Sequence, residues 1–246
     1  MKQLVKKFLP AFILSWYHKI LALFAMILYG FPSNKLTVIG VTGTNGKSTT
    51  VNLIGKILEE SGLKVGWAST ANFKIAEKEW LNDKKMTMLG RMQTQKFLSQ
   101  VVKAGCQYAI IETSSEGIKQ YRHWGINYDA AVFTNLTPEH LEAHGGFENY
   151  KKAKGELFNH LSKKARKQIN NKTIPKIIIA NADDEHADYF LSFPADKKIT
   201  YSINNKSDVQ AENVEIKQNG TDFHVSRLPR AKPLSEVERA QSRGIT

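Results

Sequence analysis

The chain has 246 residues and a formal net charge of +12, a length that fits one large or two small domains. Hydrophobic residues make up 41% of it and charged residues 24%, a composition that excludes a disordered or collagen-like chain. Cys106 is the single cysteine, so an intrachain disulfide framework and a cysteine-based zinc site are excluded, and a reducing, cytoplasmic compartment is favoured. The basic excess predicts an anionic partner, with phosphates, lipid headgroups and nucleic acid as the alternatives.

The first predicted element is an apolar segment, residues 8–31, which three lysines precede. A secretory signal peptide is one interpretation, but no small-residue cleavage site precedes Gly30. A membrane-spanning helix needs about 20 apolar residues, and His18 and Lys19 interrupt this run. We therefore expect residues 1–35 to form an apolar N-terminal helix. It either lies on the inner face of a membrane, with its lysines against anionic lipid, or packs on the protein or another subunit.

From position 36 onward, short apolar runs alternate with amphipathic segments. Strands are predicted at 36–41, 64–68, 108–112, 130–134 and 176–180, and helices at 47–61, 93–104 and 147–163. This alternation indicates an α/β fold with a mostly parallel sheet flanked by helices. Polar strands between 198 and 226, with a turn at Asn219-Gly220, predict a small antiparallel edge with a hairpin. Residues 227–246 are basic and are expected to form a flexible tail.

A glycine-rich loop, Gly43-Thr-Asn-Gly-Lys-Ser-Thr49, joins the first predicted strand to the next helix. Glycines let successive backbone N–H groups converge on a phosphate, and the helix N-terminus adds partial positive charge. Lys47 adds a full charge, and the Ser48 hydroxyl can bind Mg²⁺. A strict Walker A motif has glycine where this chain has Val41, so the loop is a variant. The context predicts a P-loop-type sheet with a nucleotide-phosphate site formed by Gly43, Thr44, Asn45, Gly46, Lys47, Ser48 and Thr49.

Three ordered signatures carry a resemblance to one family. Residues 43–49 are similar to the phosphate loop of the Mur ligase family, the ATP-dependent amide-forming enzymes of peptidoglycan precursor synthesis. Residues 134–145, followed by 150–154, resemble the second signature of that family, and residues 181–184 resemble the third. The residues of these motifs are most similar to those of the UDP-N-acetylmuramoyl-tripeptide synthetase branch of the family. The resemblance implies that residues 36–226 form the family's central ATP-binding domain, with ATP and Mg²⁺ as cofactors.

Glu112 and Lys154 are two further candidate functional residues, the first in a predicted strand and the second in a predicted helix. Glu112 ends an apolar strand, where a carboxylate can hold Mg²⁺ near phosphates; the alternative is a solvated strand end. Lys154 falls on the apolar face of the 147–163 helix, so its amine needs a partner, a modification or a route to solvent. The matching family lysine is carbamylated, which implies a carboxylate-like group near magnesium. A lysine that extends its amine to solvent is the alternative.

The resemblance also assigns residues of the second signature. It implies that His140 binds a second Mg²⁺, and we place Asn135 with the nucleotide-binding residues. His144 is interpreted as a structural histidine. The expected metal ligands are Ser48, Glu112, His140 and Lys154, and the expected catalytic residues are Lys47, Lys154 and His140.

The reaction implied by the resemblance is phosphorylation of a substrate carboxylate by ATP, followed by attack of an amino group on the acyl phosphate. The implied substrates are a UDP-N-acetylmuramoyl-peptide and an amino acid. Residues 1–35 do not match the family's UDP-binding domain, and residues 227–246 do not match its C-terminal ligase domain. We therefore expect a fragment, a frameshift product or a chain that a separate C-terminal domain completes. The alternatives are a P-loop ATPase or kinase without ligase activity and a membrane-associated nucleotide-binding module. Scattered basic residues argue against nucleic acid.

Overall fold

A twisted central sheet with helices on both faces organises the computed structural model, which describes residues 11–84, 86–139 and 141–227. The helices are α1 (Ala11–Leu28), α2 (Lys47–Glu60), α3 (Arg91–Lys103), α4 (Ser115–Lys119), α5 (Leu141–His144), α6 (Phe147–Lys163) and α7 (Ala187–Leu191). The strands are β1 (Thr37–Thr42), β2 (Val65–Ala68), β3 (Asn72–Ile75), β4 (Lys78–Leu81), β5 (Tyr108–Glu112), β6 (Ala130–Phe133), β7 (Lys167–Ile169), β8 (Lys172–Ile174), β9 (Ile177–Asn181), β10 (Lys197–Ser202), β11 (Val209–Lys217) and β12 (Gly220–Arg227).

The sheet runs in the order β12-β11-β10-β9-β6-β1-β5-β2-β3-β4. Its central strands pair in parallel, whereas β11–β12, β2–β3 and β3–β4 are antiparallel pairs. The predicted α/β class and the antiparallel hairpin at Asn219-Gly220 are confirmed. Strand β10 differs from the prediction because it runs parallel to β9: helix α7 returns the chain to the starting end of the sheet.

Alternating residues of the central strands supply two cores. On one face, Val41, Ile110 and Val132 pack with Val51 of α2 and with Trp67. On the other face, alternate strand residues pack against α3 and the apolar side of α6. This two-faced burial explains why the central strands read as nearly continuous apolar runs. It also fixes the strand ends of β1, β2, β5 and β6 along one edge of the sheet, next to the glycine-rich loop.

Helix α1 packs on the protein through small side chains. Ala22 and Ala25 are buried, and Met26 lies against the backbone of Gly125. The amine of Lys19 lies over the rings of Tyr121 and Trp124, at 5.3 and 5.8 Å from their centroids. One face of this helix therefore packs on the protein. Among the described helices, none has the length and apolarity that crossing a bilayer requires.

His160, a buried residue of α6, lies beside the buried His123, with ring centroids 4.9 Å apart. Burial lowers the pKa of His160 from 6.5 to about 4 and that of His123 from 6.5 to about 3. Between pH 6.5 and these values, the unfolded chain binds more protons than the folded one. The contribution of the two neutral rings to the free energy of unfolding is therefore complete above pH 6.5 and is lost as the pH falls, by at most about 3 kcal/mol for His160 and about 5 kcal/mol for His123.

We predict that replacing both rings flattens this acid-side loss of stability. In His123→Phe/His160→Gln, urea unfolding between about pH 5 and 7 should show a smaller pH slope than in the wild type. The glutamine amide can still donate to the Ile126 carbonyl, which His160 Nε2 contacts at 2.8 Å. His224→Gln, at an exposed histidine, is the matched control and should keep the wild-type slope. Equal slopes in the double variant and the wild type would contradict the prediction.

Candidate nucleotide and metal site

The glycine-rich loop closes between the end of β1 and the start of α2. A side chain at Gly43 would place its Cβ 1.9 Å from Thr134 Oγ1, so the close approach of two strand-end loops requires glycine there. Gly46 has φ +76° and precedes the helix, a conformation that glycine adopts without strain. Thr50 N–H bonds the Gly46 carbonyl at 2.9 Å, and the N–H groups that precede it at the helix start have no acceptor within α2. The loop therefore presents a cluster of N–H groups of the kind that can bind phosphate.

Asn135 braces this loop from the β6 side. Its backbone carbonyl accepts from the Thr44 N–H at 2.8 Å, and its Oδ1 accepts from the Asn45 N–H at 2.8 Å. Its Nδ2 donates to the Asn45 carbonyl at 3.1 Å. The side chain predicted to bind nucleotide thus holds the backbone of the loop on which the phosphates would rest.

Lys47 lies within the loop rather than extending into solvent. Its Nζ donates to the Thr44 carbonyl at 2.6 Å. Burial lowers the pKa of Lys47, and the carboxylates of Glu112 and Glu139 oppose that change. The ammonium group therefore lies against the loop, within electrostatic reach of the Glu112 and Glu139 carboxylates.

An oxygen-rich pair forms where β5 ends beside β1. The buried Glu112 carboxylate accepts from Ser48 Oγ at 2.7 Å, from the Thr70 N–H at 2.7 Å and from Thr70 Oγ1 at 2.9 Å. The parallel register sets Glu112 opposite Val41, directly before the loop. Carboxylate and hydroxyl oxygens next to a phosphate site suit Mg²⁺, which keeps several waters and binds only one or two carboxylates. Ser48 and Glu112 therefore fit the metal that the sequence predicted.

Lys154 is buried on the inner side of α6, with 2% of its surface exposed. Its Nζ donates to the Gly43 carbonyl at 2.6 Å and lies 4.3 Å from the centroid of the Tyr150 ring. Burial, followed by the positive charge of Lys47, lowers the pKa of Lys154 to about 7. The Lys154 side chain therefore does not extend its amine to bulk solvent. Helix α6 instead delivers the amine to the glycine-rich loop.

A cleft of about 400 Å³ opens above these groups. Lys47 and Lys154 line its floor, and Tyr150 Oη contacts Thr44 Oγ1 at 3.3 Å in its wall. His144 Nε2 lies 3.2 Å from Ser115 Oγ in the same cleft. The remaining lining residues are Thr87, Ser114, Glu116 and Glu139. His140, which the sequence assigned to metal binding and catalysis, lies outside the described residues.

Residues 41–238 match the Mur ligase middle domain family. The chain belongs to the Mur ligase family. The resemblance drawn from the three signatures is confirmed. Among similar proteins, the UDP-N-acetylmuramyl-tripeptide synthetase of Roseiflexus sp. (strain RS-1) is 37% identical over 214 residues, covering 84% of this chain and 41% of that protein. The UDP-N-acetylmuramoyl-L-alanyl-D-glutamate–2,6-diaminopimelate ligase of Halalkalibacterium halodurans is 39% identical over 207 residues, covering 84% of this chain and 40% of that protein.

A solved structure of a UDP-N-acetylmuramoyl-L-alanyl-D-glutamate–2,6-diaminopimelate ligase shares the fold of this Mur ligase chain. It superimposes with a TM-score of 0.64 at 32% identity, covering 77% of this chain and 37% of that one. This Mur ligase chain spans about two fifths of the length of the relatives it matches.

The Mur ligase fold reveals contacts that the sequence reasoning missed. Thr70 clamps Glu112, and its position directly after β2 could have been found with the strand-end rule used for Glu112. Asp184 of the third signature accepts from the Leu136 N–H at 2.7 Å and from the His186 N–H at 2.9 Å. The third signature thereby holds the loop that carries the second. No spacing rule predicts that contact, because residues 136 and 184 meet only across β6 and β9.

Proposed function

We propose that this chain is the ATP-binding and phosphoryl-transfer part of an amide ligase that adds an amino acid to a UDP-N-acetylmuramoyl-peptide. In this proposal residues 36–226 are the central domain. The observation that carries it is the convergence of three features at the glycine-rich loop: Lys47 on the Thr44 carbonyl, the Ser48–Glu112 oxygen pair and the buried amine of Lys154 on the Gly43 carbonyl. A nucleotide-binding site needs only the first two features.

Different residues bind the phosphates, hold the metal and support the loop in the first step, the transfer of the phosphoryl group. The N–H groups at the start of α2 and the Lys47 ammonium hold the ATP phosphates. Ser48 and Glu112 would hold Mg²⁺, with His140 and Lys154 assigned to the same metal region by the family resemblance. Bound Mg²⁺ neutralises charge on the phosphates during transfer. Asn135 keeps the loop in shape through its two contacts to Asn45.

The cleft above the loop suits a carboxylate substrate, because the Lys47 ammonium faces it. A carboxylate oxygen attacks the γ-phosphorus of ATP, ADP leaves, and an acyl phosphate forms. The amino group of the incoming amino acid then attacks the acyl carbon, loses a proton, and phosphate leaves as the amide bond forms. Carbamylation, which the family resemblance implies, would join CO₂ to the Lys154 nitrogen with loss of a proton. The product is an anionic group that would help hold its metal-binding neighbours.

The relatives' own names support this substrate class, since they are a tripeptide synthetase and a diaminopimelate ligase acting on muramoyl peptides. The proposed substrates are therefore a muramoyl-peptide and an amino acid. The alternative functions, a P-loop ATPase and a nucleotide-binding module without catalysis, give no role to a buried lysine at the phosphate loop.

A chimera tests the proposal. Residues 41–238 of this chain replace the matching segment of the Roseiflexus synthetase, and ADP and amide product are followed together. We expect ADP and amide in equal amounts, because each amide bond consumes one acyl phosphate. The matched control is the same chimera with Glu112→Gln, which keeps the size of the side chain but removes a charged oxygen and should need far more Mg²⁺. ADP release without amide, in a chimera that still binds the peptide substrate, would assign an ATPase instead.

A further inference from the structure

Helix α1 presents a continuous apolar face to solvent. Trp16 and Ile20 are 64% and 61% exposed, and the positions recur three and four residues apart, so they share one side of the helix. The opposite side packs on the protein through Ala22 and Ala25. The exposed members of this face, called here the α1 apolar face, are Ile13, Trp16, Tyr17, Ile20, Leu23, Phe24, Ile27 and Leu28. A folded protein rarely leaves so many large apolar side chains together without a partner.

The charged residues of the segment that contains this face are of one sign. Residues 1–35 contain five lysines and no acidic residue, and the first acidic residue of the chain is Glu59. Lys19 lies at the boundary between α1 and the body, over the ring of Trp124, and Lys35 is exposed just past the helix. A protein surface that meets another protein is usually rimmed by polar groups of mixed character. The charged side chains of this segment, Lys19 and Lys35 among them, are all cationic, which complements anionic lipid headgroups.

The shape of the element fits a surface rather than a crossing. Helix α1 has 18 residues, which at about 1.5 Å per residue extend over about 27 Å. It packs on the domain through Lys19, Ala22, Ala25 and Met26, and no described helix is long and apolar enough to cross a bilayer. Tryptophan and tyrosine, which prefer the boundary between headgroups and acyl chains, lie side by side at Trp16 and Tyr17. An amphipathic helix of this kind lies in the plane of the membrane.

We infer that the α1 apolar face docks this domain on the surface of an anionic bilayer, with the helix parallel to the membrane plane. The large side chains of the face enter the headgroup–acyl boundary, and the small-residue face stays on the protein. The inference rests on α1 alone and does not depend on the proposed reaction.

Vesicle binding by the full chain tests the inference. The chain is mixed with vesicles of phosphatidylcholine alone or of phosphatidylcholine and phosphatidylglycerol, and the bound fraction is measured by sedimentation. We expect binding to the mixed vesicles that weakens as salt is raised, because part of the attraction is electrostatic. Trp16 emission should shift to shorter wavelength on binding, and the Trp16→Phe variant should lack that component of the shift.

Matched double variants make the result specific. Ile20→Ser/Phe24→Ser, on the α1 apolar face, should lower the vesicle partition coefficient at least about tenfold. Leu81→Ser/Ile216→Ser removes two apolar side chains that are 81% and 87% exposed elsewhere, and should bind like the wild type. All four side chains are exposed, so thermal unfolding should remain close to that of the wild type.

Three outcomes would overturn the inference. The wild type could stay in the supernatant with the mixed vesicles, or Ile20→Ser/Phe24→Ser could bind them as well as the wild type. Light scattering could instead show a dimer that the same double variant dissociates, with no vesicle binding, and the face would then belong to a second copy of the chain.

Discussion

Lys154→Ala is expected to lower amide formation at least about a hundredfold in the chimera described above, the largest effect of any single substitution proposed for this chain. The amine is buried, donates to the Gly43 carbonyl and lies beside Lys47, so its loss changes the charge at the phosphate loop directly. Short carboxylates such as formate should restore part of the activity, because they can occupy the space and supply an anionic oxygen. Removing dissolved CO₂ should lower the activity of the unsubstituted chimera if Lys154 acts as a carbamate.

The control for this prediction lies on the same helix. Lys152 is exposed, two residues from Lys154, and Lys152→Ala should keep full activity. Lys154→Arg keeps a positive charge but cannot form a stable carbamate, and it should be as inactive as Lys154→Ala. Full activity of Lys154→Ala, together with loss of activity in Lys47→Ala, would identify a P-loop ATPase without ligase machinery.

Lys47→Ala is expected to weaken ATP binding by the full chain about tenfold to a hundredfold, since hydrogen bonds to charged groups contribute about 1.5–3 kcal/mol. The Lys47 ammonium stands over the loop at 2.6 Å from the Thr44 carbonyl, and bound phosphate oxygens would take over that contact. Calorimetric titration with ATP in the presence of Mg²⁺ measures the effect directly.

Lys64→Ala supplies the comparison for this titration, because Lys64 is exposed and precedes β2, away from the strand ends that carry the loop. Its affinity for ATP should equal that of the wild type. Equal affinities for the wild type and Lys47→Ala would remove the loop from the nucleotide site and with it the proposed function.

Much of the fold follows from local pattern. The period of 3.6 residues predicted α6 at its observed bounds, Phe147–Lys163, and the apolar run at Tyr108–Glu112 gave β5 without change. The predictions were weaker where strands are short and polar. The pair β3–β4 and the small hairpin β7–β8 were not predicted, because three or four residues give too little periodicity to separate a strand from a loop.

Some residues of the candidate site could likewise be predicted from local sequence, whereas some of its contacts could not. Sequence spacing was enough to single out Lys47, Ser48 and Glu112, since a glycine-rich loop and a strand-end carboxylate are local features with known chemistry. The clamp of Thr70 on Glu112 joins residues 42 positions apart and depends on the pairing of β2 with β5. Such contacts are long-range, and no local pattern encodes them.

The sequence by itself determined the class of fold, the phosphate loop and the family, because each is carried by a short run of residues whose backbone or side chains act together. Tertiary structure alone decided which atoms meet. It placed the Lys154 amine on the Gly43 carbonyl, and it turned the small residues of α1 to the protein and its large ones outward. The physical reason is that burial and charge at a side chain depend on neighbours distant in the chain, and packing of the sheet and helices chooses those neighbours.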